Sequence, residues 1–227
     1  MILSNIKWIM FDLDNTLIDF SIASKKALEQ TCIDNHIEFN DDFYAAYKKI
    51  NTNYWQQFEA GTTTAMQIRK YRFSDTFREL NITGLDGFTF NAEYLQHVVN
   101  YTTVYDGVIN LLEKCKHQYT LSIVTNGLKE VQRKRLDLLN MTKYFDSIIV
   151  SDEIGHTKPS KEYFDIAVNS VNNNIAKEEI LVVGDNLKSD ILGANNYGLQ
   201  SCWISQGKTN DTDVTPNHTI NSVTDLI

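Results

Sequence analysis

A chain of 227 residues with a formal net charge of −8 opposes binding to a polyanion, and no Lys- or Arg-rich run reverses the sign locally, so a nucleic-acid polymer is a poor partner. Hydrophobic residues make up 42% and charged residues 22%, as in ordinary soluble domains, and no apolar run approaches the ~18 residues that cross a bilayer, which argues against membrane insertion. The length allows one large domain or a core with a smaller inserted one. The N-terminus reaches Asp12 without the basic segment, long apolar core or small-residue cleavage site of a signal peptide, so the expected location is cytoplasmic. Cys32, Cys115 and Cys202 are widely separated and set in apolar patterns, and read as reduced core residues. The histidines are scattered and fit no zinc spacing.

The apolar run from Ile6 to Phe11 ends in Asp12-Leu13-Asp14. Such a run, bounded by polar turn residues, reads as a strand buried in a parallel sheet, and ligands bind just beyond the carboxyl ends of such strands. Period-two geometry aims both carboxylates to one side if the extended conformation persists through Asp14, and two acids so placed call for a divalent cation.

From Leu17 to Tyr101 the pattern is helical. Ala23, Ala27, Leu28 and Cys32 mark a first helix; Phe43, Tyr47, Ile50, Tyr54 and Phe58 mark a second, with Asn40 to Asp42 before it and Gly61 after it. Thr62 to Thr64 can cap a third, in which Met66, Phe73, Phe77 and Leu80 share a face, and Tyr94, Val98 and Tyr101 form the stripe of a fourth. Strands and helices alternate only afterwards. Asp106 can cap a helix through Cys115, and strands are predicted at Tyr119 to Thr125, Ser147 to Ser151, Ile180 to Gly184 and Gln200 to Ser205, with helices between them. Gln206 to Asn217 reads as loop and Ser222 to Ile227 as a last helical turn. Strand-helix alternation means βαβ crossovers and a parallel sheet, so the expected fold is α/β, a Rossmann-like core with an all-helical block inserted after the first strand. Core segments 1–16 and 102–227 and a helical segment 17–101 follow, the latter placed to act as a lid over that strand's end, tied to it by Asn15 to Asp19. Neither a dinucleotide fingerprint nor a Walker-type loop occurs.

Four polar clusters end predicted strands. They are Asp12-Leu13-Asp14, Thr125-Asn126-Gly127, Lys158-Pro159, and Gly184-Asp185-Asn186 through Asp190. Singly, each has a bland reading as a turn, a helix cap or a solvated lysine. Together, at one edge of one sheet, they point to chemistry.

The set resembles the four motifs of the haloacid dehalogenase superfamily across the whole chain, with the helical insertion matching the cap that this superfamily places between its first two motifs. Thr125-Asn126-Gly127, Asp152-Glu153-Ile154-Gly155 and Gly184 through Ala194 further resemble its pyrimidine 5′-nucleotidase subgroup, which also dephosphorylates noncanonical nucleotides. The resemblance implies Asp12 as nucleophile forming an aspartyl-phosphate, Asp14 as acid and then base, and Mg²⁺ held by Asp12, Asp185 and the backbone carbonyl of Asp14. Thr125, Asn126 and Lys158 would hold phosphoryl oxygens, and Asn186 and Asp190 would orient the metal's ligands. Asn15 stands where many relatives carry Gly, a place that a residue tolerant of left-handed geometry can fill.

The function so implied is Mg²⁺-dependent hydrolysis of a small phosphorylated metabolite, a nucleoside 5′-monophosphate above others, by a monomer or weak homo-oligomer. Specificity falls to the helical block. There Phe43, Tyr47, Tyr54 and Phe58 read as its own core, and Trp55, Arg69 and Arg72, off that stripe, are candidates to reach substrate. Rivals are a phosphosugar phosphatase or a phosphomutase of the same fold, a phosphonate hydrolase using one of Lys25, Lys26, Lys48, Lys49 or Lys70 as a Schiff base, and a non-catalytic phosphate-binding module. A dehalogenase is disfavoured, since it needs neither Asp14 nor a metal.

Overall fold

The computed structural model describes residues 2–171 and 174–227. In chain order its elements are β1 (Trp8–Phe11), α1 (Phe20–Asp34), α2 (Asp41–Glu59), α3 (Ala65–Glu79), α4 (Gly87–Asn100), α5 (Val108–Lys116), β2 (Thr120–Thr125), α6 (Lys129–Leu138), β3 (Ser147–Val150) and α7 (Ser151–Ile154). They continue as α8 (Lys161–Val168), β4 (Ile180–Gly184), a π-helical turn (Leu187–Ile191), α9 (Leu192–Tyr197), β5 (Gln200–Ile204) and β6 (His218–Ile220). The chain divides into two compact units, Met1–Phe20 with Thr103–Ile227, and Ser21–Thr102.

In the first unit, strands in the order β3-β2-β1-β4-β5-β6 form one parallel sheet. β1 is buried on both faces because alternate side chains feed different cores: Ile9 and Phe11 pack with Leu112, Leu121 and Val183, while Trp8 and Met10 pack with Tyr163, Phe164 and Val182. Phe11 is in register with Ile123 of β2 and Val183 of β4. The carboxyl ends of the three central strands are thereby level, and Asp12, Thr125 and Asp185 start from neighbouring positions. The direction of connection reverses between β1 and β4, which is where open sheets of this kind leave a crevice.

The second unit is helical throughout. Each of its later helices has a side-chain cap: Asn40 accepts from the Phe43 amide at 2.9 Å, Thr64 and Gln67 form a reciprocal capping box, and Asp86 accepts from the Thr89 amide at 2.9 Å. Its core is aromatic, with Phe73 stacked on Tyr47 at 5.3 Å and meeting Phe90 at 4.8 Å and Tyr94 at 5.3 Å.

Several expectations need correcting. Met66 is 59% exposed, because α3 turns Ile68, Phe73 and Phe77 inward and Met66 lies off that face. Gly107 at a φ of 83°, and not Asp106, precedes the first turn of α5. Ser151 starts α7 instead of ending β3. β6 was not foreseen; it is only three residues long, too short for a periodic signal, and exists because Cys202 to Ile204 offer it a paired edge. Asn15 does adopt the left-handed conformation, at a φ of 60°. The three cysteines are free and buried, and burial pushes the Cys32 and Cys202 thiols up to about 12 and the Cys115 thiol up to about 11. Among the described residues no helix is long and apolar enough to cross a membrane.

Candidate active site

Lys158 is the hub of the first unit's polar residues. It lies between α7 and α8, not at a strand end as expected, and its backbone is held by both ends of the Asn126 amide: the Lys158 N–H donates to Asn126 Oδ1 at 2.8 Å, and Asn126 Nδ2 donates to the Lys158 carbonyl at 2.9 Å. Only 1% of Lys158 is exposed. All three ammonium hydrogens have acceptors: Asp12 Oδ1 at 2.7 Å, Asp190 Oδ1 at 2.6 Å and the Val124 carbonyl at 2.7 Å. Burial works against that charge, but Asp12 and Asp190 outweigh it and raise the lysine above its ordinary range.

Carboxylate oxygens of Asp12, Asp185 and Asp190 lie within 4.8 Å of one another. Burial pushes Asp12 well above the ordinary carboxylate range; Lys158 opposes this, while Asp190, Asp185 and Asp14 add to it. Asp185 is pushed up to about 7 by burial and by Asp190, with Lys208 and Lys158 opposing. Asp12 and Asp190 both take the Lys158 ammonium and Asp185 lies beside them, a local surplus of negative charge that a divalent cation would balance. The donors are all hard oxygens, which suits Mg²⁺. Asp190 Oδ2 accepts from the Asn186 amide at 3.1 Å and its Oδ1 takes Lys158, so both of its oxygens are engaged. Asn186 in turn caps the π-helical turn through its side chain. Gly184 makes this possible by having no side chain, since a Cβ there would lie 2.3 Å from Asp190 Oδ2.

Asp14 does not join this cluster, contrary to the expectation that it would share a side with Asp12. β1 stops at Phe11; the Asp12 N–H still donates to the Val183 carbonyl at 2.9 Å, whereas Leu13 accepts from Leu17 and Ile18 in a turn and Asp14 bridges to Ile18. Its carboxylate meets α6 instead: Arg135 Nη2 is 2.7 Å from Oδ1, and Gln132 Nε2 donates to Oδ2 at 2.9 Å. Gln132 Nε2 also donates to Thr125 Oγ1 at 2.6 Å, and the Gly127 amide donates to the same oxygen at 3.2 Å. Sequence reasoning missed Gln132 and Arg135. A signal existed, because both sit at the i, i+3, i+4, i+7 positions of the stripe made by Leu128, Val131, Leu136 and Leu139, where apolar residues belong.

The candidates in the helical unit lie deeper than expected. Arg69 and Arg72 are among the buried residues of α3, which is packed by both α2 and α4 and so has more than one covered face. Arg72 donates through Nε to Asn91 Oδ1 at 2.8 Å and through Nη1 to Asn51 Oδ1 at 3.1 Å, with the Phe73 and Tyr94 rings at 5.2 and 4.9 Å. Trp55 is half-buried and donates to the same Asn51 oxygen at 3.2 Å. Tyr54 is half-buried, its hydroxyl on Asp75 at 2.6 Å. Lys25, Lys26, Lys48, Lys49 and Lys70 are all exposed, an unsuitable setting for an amine that must lose its proton to form a Schiff base.

A parallel sheet of this order, with acids beyond β1 and β4, a hydroxyl at the end of β2 and a buried lysine joining them, defines one class of hydrolase. The chain belongs to the haloacid dehalogenase-like hydrolase family, whose model matches residues 9–204. It is 32% identical over 219 residues to the HAD-hydrolase YfnB of Bacillus subtilis, covering 96% of this chain and 92% of that one. It is 30% identical over 220 residues to the pyrimidine 5′-nucleotidase YjjG of Escherichia coli, covering 96% and 95%, and 26% identical over 223 residues to the pyrimidine 5′-nucleotidase PynA of Streptococcus pneumoniae, covering 97% and 93%. The crystal structure of YfnB bound to magnesium matches the fold with a TM-score of 0.90 at 31% identity, over 98% of this chain and 97% of that one.

Proposed function

We propose that the protein is a Mg²⁺-dependent phosphatase of small phosphomonoesters, and that its substrate is a pyrimidine nucleoside 5′-monophosphate. The observation that carries the reading is the clustering of Asp12, Asp185 and Asp190, the first and last of them held on Lys158, an arrangement that supplies a carboxylate to attack and a surplus of negative charge for a cation to balance. The choice of nucleotide is supported by the likeness to YjjG and PynA.

Asp12 attacks phosphorus, and as its oxygen bonds there the phosphorus–oxygen bond to the leaving group breaks. The leaving oxygen takes a proton from Asp14. In the second half Asp14, now ionised, takes a proton from water, the water oxygen bonds to phosphorus, and the bond to Asp12 breaks to release phosphate. Lys158 compensates charge on Asp12, and the Thr125 hydroxyl, which accepts two hydrogen bonds, keeps its own hydrogen to donate to a phosphoryl oxygen. The Asn126 side chain serves Lys158, so what this position offers the phosphoryl group is backbone. Mg²⁺, held by Asp12, Asp185 and the Asp14 carbonyl, would supply charge neutralisation between two anions that otherwise repel. Substrate choice is assigned to the helical unit, with Trp55, Arg69 and Arg72 as its candidates.

Purified protein is expected to release phosphate from pyrimidine 5′-monophosphates faster than from purine nucleotides or hexose phosphates, and to stop in EDTA; a preference for hexose phosphates would reject the substrate. The metal is tested separately by thermal unfolding. Asp185 is pushed up to about 7 in the folded protein against about 4 unfolded, so the folded state holds the extra proton between those values and metal-free stability falls as pH rises from about 4 to about 7. A cation removes that penalty but must displace the proton at low pH. The Mg²⁺-induced rise in Tm should therefore be clearly larger at pH 8 than at pH 5, and equal rises would place the ion elsewhere.

A further inference from the structure

We propose that Gln132 and Arg135 are positioning residues that jointly aim the proton-moving carboxylate and the phosphate-binding hydroxyl. The proposal rests on the reading above that Asp14 transfers protons. Both side chains are buried, Gln132 at 0% exposure and Arg135 at 1%. A guanidinium can only donate, and Arg135 Nη2 donates to Gln132 Oε1; the amide oxygen must face the arginine and the NH₂ must face the other way. Its two hydrogens are then fully assigned, one to Asp14 Oδ2 at 2.9 Å and one to Thr125 Oγ1 at 2.6 Å.

Two consequences follow for the reacting atoms. Asp14 Oδ2 is occupied, whereas Oδ1 accepts no hydrogen bond among the described residues although Arg135 Nη2 is 2.7 Å away, so Oδ1 is the oxygen that exchanges protons with the leaving group and then with water. Thr125 Oγ1 is made an acceptor by Gln132, which turns its own hydrogen away from the amide. A single amide thus sets both groups, and the glycine of Thr125-Asn126-Gly127 gains a reason. A Cβ on Gly127 would lie 2.0 Å from Gln132 Nε2, so this glycine provides room for the amide, its φ not being in the left-handed range.

The arrangement is costly by itself. Arg135 is buried with the Phe20 ring 5.4 Å from its guanidinium, and its Nε and Nη1 have no hydrogen-bond partner among the described residues. Burying a cation with unsatisfied donors opposes folding, so the pair is better explained by what it aims than by what it stabilises.

The test compares first-turnover rates for two substrates, a nucleoside 5′-monophosphate, whose alkoxide must be protonated as it leaves, and p-nitrophenyl phosphate, whose nitrophenolate leaves without a proton. Gln132→Glu replaces both donors with acceptors, and Gln132→Met, of similar volume, removes them without adding charge. In either variant the first turnover of the nucleotide is expected to slow by about 100-fold, the scale of general-acid catalysis, with little change in KM. The nitrophenolate burst should slow about tenfold less than the nucleotide, its own loss being the part owed to the Thr125 hydroxyl that both substrates use, and be followed by a slowed steady state, because Asp14 is still needed to activate water. Arg135→Lys, which keeps the charge but loses the fork that orients the amide, should fall between. Equal losses on both substrates, or no loss on either, in whichever of the glutamine variants folds, would overturn the proposal. Asp12→Asn in the same assay separates the two levels: if it still turns over, the aspartyl-phosphate reading fails first; if it is silent while the Gln132 variants keep the parent nucleotide rate, only the positioning role fails.

Discussion

Asp12→Asn is expected to lower kcat by about 10⁴-fold or more on every phosphomonoester while leaving the fold intact. The amide has nearly the shape of the carboxylate but cannot form the acyl phosphate. Lys158 keeps Asp190 Oδ1 at 2.6 Å and the Val124 carbonyl at 2.7 Å, so it is not stranded by the change. The carboxyl of Asp12 is held well above its ordinary range by burial and by Asp190, Asp185 and Asp14 against the pull of Lys158, which means that its charged form is strained in the metal-free protein. A neutral side chain removes that strain. The expected pair of results is therefore opposite in sign: activity lost, and Tm in EDTA at pH 8 unchanged or raised. Phosphate release and thermal unfolding measure the two, and turnover within tenfold of the parent would remove Asp12 from its assigned role.

Lys158→Met should lose both properties. Nothing else among the described residues neutralises Asp12 and Asp190 from within hydrogen-bond distance, and truncating one partner of a buried charged pair costs about 3–5 kcal/mol. The loss should depend on pH with a definite sign. Burial already holds the Asp12 carboxyl above its ordinary range and Lys158 opposes this, so without the ammonium the folded state binds that proton more tightly still, the variant's stability falls as pH rises and the gap from the parent is wider at pH 8 than at pH 5. Urea unfolding in EDTA at the two pH values measures it. A gap that widens on acidification would mean that these carboxylates are not the groups left exposed to the change. Turnover should fall by about 10³-fold, since the residue that compensates charge on the nucleophile is gone, and added Mg²⁺ should restore part of the stability without restoring the rate.

The sequence by itself determined the strand-helix order, the insertion of a helical block after β1, and the identity of the polar clusters that meet. Those are local matters. An apolar run of β-formers ending in acids, a capping residue ahead of a 3.6-residue stripe, and a glycine beside an aspartate each leave a pattern within a few residues. Tertiary structure alone decided how the clusters divide their work. Asp12 and Asp14, two residues apart, are separated because Lys158, 146 positions away, takes one and Gln132, 118 positions away, takes the other. The motif marks Asn126 as a phosphate ligand, yet its amide is spent on the backbone of Lys158, a pairing that exists only once β2 and the segment ahead of α8 are side by side. Arg69 and Arg72 were placed off the aromatic stripe of the helical unit and are buried because α3 packs on two neighbours, which no single-helix pattern records. Periodicity states which side of an element is covered; which partner covers it, and therefore which carboxylate meets a cation and which meets an amide, is fixed by contacts that close over long stretches of chain.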